Sequence, residues 1–157
     1  MHASKLVQYM KTNAASMSEG LVLKIRGAER CGGLAFRVPG EEQKEYALTI
    51  YRDLLDWMAT GADSTIEKRY EALGVRRANQ GVPFRCLFWA VCIAREHLWD
   101  YMQQECLVEE PIEFWGGVRL LHSLNQFFDR TLYFTLLGYQ KSGKDMAQVF
   151  PAQRSAA

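Results

Sequence analysis

The stretch RRANQGVPFRCLFWAVCIAREHLWDYM, residues 76–102, holds the reading that decides the fold. Gly81 can adopt the left-handed conformation that closes a helix, and Pro83 suits the first turn of the next, where its missing N–H is no loss. The spacing therefore predicts one helix ending near Gln80 and a second over 83–106, about 35 Å long at 1.5 Å per residue. The first half of that second helix is apolar nearly all round. Leu87, Phe88, Trp89, Val91, Cys92 and Ile93 point in every direction. Such a helix is central to a core or pressed against a partner subunit, so a homodimer with Trp89 and Ile93 at the contact is expected.

Upstream, Leu6, Met10, Ala14, Met17, Leu21 and Ile25 recur at helical spacing and predict one long amphipathic helix. Residues 26–42, with four glycines and a proline between the ends, show no period and read as a long connection. Tyr46, Ile50, Tyr51, Leu54 and Trp57 then form the cleanest stripe, stopped at Thr60-Gly61. STIE, 64–67, has the pattern of a capping box before a shorter helix carrying Ile66, Tyr70 and Leu73. Downstream, a helix over 112–137 presents Leu120, Leu124, Phe127 and Phe128, with Gly138 as its stop. No alternating strand pattern and no internal repeat appears. The expected fold is all-α: a five-helix bundle or globin-like arrangement of long antiparallel helices, with one domain over 1–138 and a short helical turn and loose tail over 139–157.

The bulk composition narrows the function. With 157 residues, 48% hydrophobic and 24% charged, the chain has the make-up of a globular domain. A net charge of +1 gives no basic footprint for nucleic acid. Arg85 and Arg95 interrupt the best apolar run before the roughly 18 residues a membrane span needs. No secretory leader is visible, and Cys31, Cys86, Cys92 and Cys106 form no C-x-x-C pair. Reduced thiols in a cytoplasmic protein are the expectation.

Few residues invite chemistry. His122 opens an H-x-L pattern like that of histidine phosphotransfer domains, but Asn125 and Gln126 stand where those have Lys-Gly. Its stripe with Arg119, Gln126, Asp129 and Arg130 reads as a solvated face. His97 lies at the edge of the buried side, either hydrogen-bonded locally or, in an aromatic-rich all-α chain, an axial ligand for haem. Arg95 emerges among Val91, Cys92, Leu98 and Trp99. It demands a carboxylate such as Asp53 or Asp56, or else it anchors an acidic ligand or partner. The residue set for a ligand or partner contact is therefore Trp89, Ile93, Arg95, His97 and Trp99. The acidic pairs Glu41-Glu42 and Glu109-Glu110 suit helix N-termini. No nucleophile–base pair, phosphate loop or metal set is visible, so an enzyme is not expected.

The run LGVRRANQGVPFRCLFWAVCIAREHLWDYM, 73–102, resembles the N-terminal sensory domain of the RsbR-type RsbT co-antagonist proteins, with its arginine-rich turn, Gly-Val-Pro break and Arg-Glu before an aromatic stretch. The helix order agrees over most of the chain. The resemblance implies a non-enzymatic, helical, usually dimeric input module, of the kind fused elsewhere to a STAS domain, a kinase or a transcription factor. No output domain, and so no STAS phosphorylation threonine, is expected after residue 138. The signal then passes by association with other signalling proteins in trans. The resemblance implies no active-site residue and no cofactor.

Overall fold

A computed structural model describes residues 2–104 and 114–142 of the chain. Six α-helices and two short 3-10 turns make up the described residues: α1 (His2–Gly27), a turn at Glu29–Cys31, α2 (Gly32–Arg37), α3 (Gly40–Thr60), a turn at Asp63–Thr65, α4 (Glu67–Asn79), α5 (Phe84–Gln104) and α6 (Phe114–Lys141). The fold is all-α, and no strand occurs among these residues. Expected features over 105–113 and 143–157, Glu109-Glu110 and the tail included, lie outside the described residues.

The break at 80–83 forms as its residues dictate. Gly81 has φ 74°. Its N–H donates to the Ala78 carbonyl at 2.9 Å, and the Val82 N–H donates back to Arg77 at 3.1 Å. This pair of bonds is the Schellman closure, available because glycine bears no Cβ to oppose a positive φ. Pro83 stands one residue before α5 rather than inside it, its carbonyl accepting from the Cys86 N–H at 3.0 Å. The Tyr139 hydroxyl of α6 donates to Val82 O at 2.9 Å and pins the break to the core.

α5 is the central helix, and this chain itself covers most of its circumference. α1 and α6 pack along it, and α2 and the first 3-10 turn cover its start. Ala94 and Leu98 are fully buried, and Ile93 is 9% exposed. Leu98 and Ile93 each contribute about 1.5–3 kcal/mol by leaving water, and the Ala94 methyl less. Among the apolar residues of the front half, Phe88 stays exposed.

Four expectations require correction. The connection over 26–42 is structured. Cys31, Leu34 and Val38 are buried at spacings of three and four, and the buried Gln43 amide donates to the Leu34 and Val38 carbonyls at 3.1 and 2.9 Å. One side chain thus satisfies the orphan carbonyls at the end of α2, which makes a sixth helix affordable. The capping box does not form. A 3-10 turn occupies 63–65, and α4 starts after Ile66 without a side-chain cap. α1 is kinked at Asn13 (φ −111°, ψ 15°), whose amide donates to the Tyr9 carbonyl.

Finally, Gly138 does not end α6, which continues to Lys141. Gly138 and Gly74 are where α6 and α4 cross. A methyl group at Gly138 would collide with the Glu71 carbonyl, and one at Gly74 with the Thr135 carbonyl and, at 2.8 Å, the Tyr139 nitrogen. This backbone-to-backbone approach makes α4–α6 the most extensive helix pair.

Candidate functional site: the α3/α4 cleft and the cavity beneath it

The five residues singled out on α5 do not converge. The Trp89 ring is half-buried, with the Arg30 guanidinium 4.3 Å above its centroid. Ile93 points into the core and Trp99 is half-buried. Arg95 turns toward α6 and pairs with Asp129 at 3.5 Å, not with Asp53 or Asp56. Since Arg95 is 34% and Asp129 66% exposed, this pair is worth a fraction of a kcal/mol.

His97 faces α1. Its Nε2 lies 2.9 Å from the Met17 carbonyl, so that nitrogen carries the proton and donates. Nδ1 is buried without a partner. Tyr101 meets the ring edge-on at 5.0 Å, and a Cβ at Gly20 would approach its Cε1 to 2.9 Å. Burial holds the imidazole below its ordinary pKa, with Lys24 adding to the effect and Met17 and Asp100 opposing it. A haem iron bound through Nε2 would have to displace the Met17 bond and open space against Gly20. His122 stands exposed on α6 beside exposed Arg119 and Asp129, on the solvated face its stripe predicts.

The polar groups that do converge lie between α3 and α4. Asp53, 1% exposed, is held by the Arg69 guanidinium on one oxygen and accepts from the Tyr70 hydroxyl at 3.0 Å on the other. Burial keeps the Tyr70 phenol neutral, well above its usual titration range. About three turns away along α3 and two along α4, Glu42 accepts from the Gln80 amide at 2.6 Å and sits 3.5 Å from both Arg76 and Arg77. Arg77 is 4% exposed, and burial lowers its pKa against the opposing pull of Glu42.

Glu42, Arg69, Tyr70, Arg76 and Arg77 line a cleft of about 290 Å³. Under it lies a cavity of about 40 Å³, and Tyr46, Tyr70, Leu73 and Arg77 line both. Every helix contributes to the inner cavity: Val22 from α1, Leu34 from α2, Tyr46 from α3, Leu73 from α4, Leu87 from α5 and Thr135 from α6. The Tyr46 hydroxyl is buried with no hydrogen-bond partner. Burial raises its pKa, so it remains a neutral donor and acceptor.

Sequence reasoning missed this site for identifiable reasons. Tyr46 and Tyr70 read as members of apolar stripes, and Arg76-Arg77 read as part of an arginine-rich turn. One signal was available. The last turn of α4 places two adjacent arginines on different faces, so one of them must turn toward the core.

Elsewhere the chemistry is quiet. Cys31, Cys86 and Cys92 are free, and burial pushes the Cys31 thiol up to about 11. Among the described residues no three His, Cys, Asp or Glu side chains group as a metal set, and no helix is long and apolar enough to cross a membrane.

Residues 16–154 match the family model of the RsbT co-antagonist protein rsbRD N-terminal domain, and the chain belongs to that family. No curated protein and no solved structure matches it.

Proposed function

We propose that this chain is a non-enzymatic sensory domain in stress signalling that acts by association, pairing with a second copy of itself through α1 and α3 and relaying its state to signalling proteins in trans. Membership of the RsbT co-antagonist family supports the regulatory reading. The observation that carries the pairing is the apolar face of α1 and α3. Leu23 is 70% and Leu48 51% exposed on either side of a groove of about 480 Å³. Two large aliphatic side chains flanking one groove go beyond the scattered exposure any surface shows.

A second copy fits the charges of this face. Glu19 lies in the same groove as Arg26 and Lys44. A two-fold axis sets each patch against itself in reverse, so acid on one copy can meet base on the other. The expectation from the sequence put the contact on α5, but most of α5 finds cover within the subunit, and Leu23 of α1 and Leu48 of α3 stand exposed beside one groove.

Light scattering tests the pairing directly. The protein should run as a dimer at micromolar concentration, and Leu23→Glu with Leu48→Glu should give a monomer of unchanged helix content. A wild-type monomer, or a dimer indifferent to both changes, would refute this assignment.

A further inference from the structure

We propose that the α3/α4 cleft and the cavity beneath it form one binding site for a short-chain monocarboxylate, with its head on Arg76, Arg77 and the Tyr46 hydroxyl and its tail in the cavity. Three observations carry this.

The first is charge. Arg52, Arg69, Arg76 and Arg77 line the cleft, against Glu42, Glu45 and the Asp53 carboxylate held under Arg69. Four positive charges against three negative leave one to be matched by a single anionic group. Planar guanidinium forks suit a carboxylate in particular, because two parallel N–H bonds meet its two oxygens.

The second is the unpartnered Tyr46 hydroxyl. A buried hydroxyl without a partner has lost its hydrogen bond to water uncompensated, and a ligand oxygen at this position would recover that loss. Tyr46 lines both the cleft and the cavity, so its ring stands where head and tail of such a ligand would join. The other hydroxyls nearby are already engaged: Tyr70 donates to Asp53, and Thr135 donates to the Thr131 carbonyl at 2.7 Å.

The third is size. At about 10–15 Å³ for each water-sized occupant, a cavity of this volume takes about three heavy atoms. Apart from Tyr46, Gln43 and Arg77, its walls are mainly Val, Ile, Leu and Ala. The matching tail is a three-carbon aliphatic one, as in butyrate or isobutyrate.

Glu42 makes the site responsive. Its carboxylate already lies 3.5 Å from both Arg76 and Arg77, so it occupies the place of the ligand's head. Glu42 is 23% exposed and can swing to solvent when displaced. Exchange of an internal carboxylate for an external one would release the first turn of α3 from the last turn of α4. Because all six helices meet at the cavity, a tail inserted there presses on each of them. This account rests on the regulatory reading for its consequence, not for binding itself.

The test is titration of the intact chain with butyrate, isobutyrate and neutral butyramide, followed by amide chemical shifts and melting temperature. Both carboxylates should shift Tyr46, Leu73 and Arg77 resonances and raise the melting temperature, and butyramide should do neither. Tyr46→Phe keeps the ring and should weaken binding by about tenfold through the lost hydroxyl contact. Arg76→Gln, at an exposed side chain that folding does not need, should weaken it severalfold, and Glu42→Gln should strengthen it. Absence of shifts at these residues up to about 100 mM carboxylate, beyond the weakest affinity a site of this kind would hold, would overturn the proposal. Equal binding of butyramide, or unchanged affinity in both Tyr46→Phe and Arg76→Gln, would do the same. Failure of this site leaves the Leu23→Glu and Leu48→Glu experiment unaffected, and a monomeric protein that binds butyrate would count only against the pairing.

Discussion

His97 is neutral in the folded protein because protonation would place a charge and an unmatched N–H at Nδ1, where no acceptor lies. Its pKa is therefore below the ordinary 6.5, while in the unfolded chain it is near that value. Between the two, the unfolded state binds more protons, so stability must rise with pH through that window and fall as the solution is acidified below about 6.5. Thermal melts from pH 7 to pH 5 should show this loss, and His97→Gln should lessen it. A pH dependence identical in the variant would mean that other groups carry the effect. Asp53 makes the opposite case of a charge kept buried. Asp53→Asn leaves the Arg69 guanidinium without its counter-charge. Because Arg69 is half-exposed, the cost should be about 2 kcal/mol rather than the 3–5 kcal/mol of a fully buried pair, measurable by urea denaturation. Neither residue's role was legible beforehand. His97 stood at a predicted boundary, and whether a boundary residue is wet depends on what the opposite helix brings, here Met17 and Gly20.

Helices were legible wherever apolar residues kept a 3.6 period, as in α1, α3 and α5, and less so where helix ends were set by contact. Gly81 ended a helix because a positive φ there costs glycine little. Gly138 did not, because a glycine inside a helix also permits close approach, and Glu71 stands against it. These two uses of glycine look alike in a chain. Gly138→Ala and Gly74→Ala should each destabilise the protein by at least about 2 kcal/mol, since steric overlap at a backbone crossing outweighs the better helix propensity of alanine. The double variant should fall short of the sum, because either methyl already forces α4 and α6 apart. Additive losses would show that the two glycines act separately. Residues 26–42 were misread for a related reason. Cys31, Leu34 and Val38 do keep a helical spacing, but glycines and a proline obscure it, and the segment holds only because Gln43 reaches back to its carbonyls.

For the domain as a whole, a core shared by six helices couples distant surfaces through one centre. The cavity under Tyr46 touches every helix, including α1 and α3, which carry the exposed Leu23 and Leu48. If pairing and binding are linked, butyrate should change the dimer dissociation constant, and dimerisation should change butyrate affinity by the same factor. Light scattering across a concentration series, with and without butyrate, measures the first, and titration above and below the dissociation constant measures the second. Unequal factors would violate linkage and show that the two measurements report different sites. Periodicity, turn chemistry and composition within the chain were enough to establish an all-helical class and the break at Gly81, because each depends on neighbours a few residues away, whereas the choice between core and partner as cover for α5 was not settled there. The pairing of Arg69 with Asp53, the clasp of Glu42 on Arg77 and the unmatched hydroxyl of Tyr46 came only with folding. The two pairs join residues 16 and 35 positions apart, and no local pattern says which side chain will face which across a helix interface.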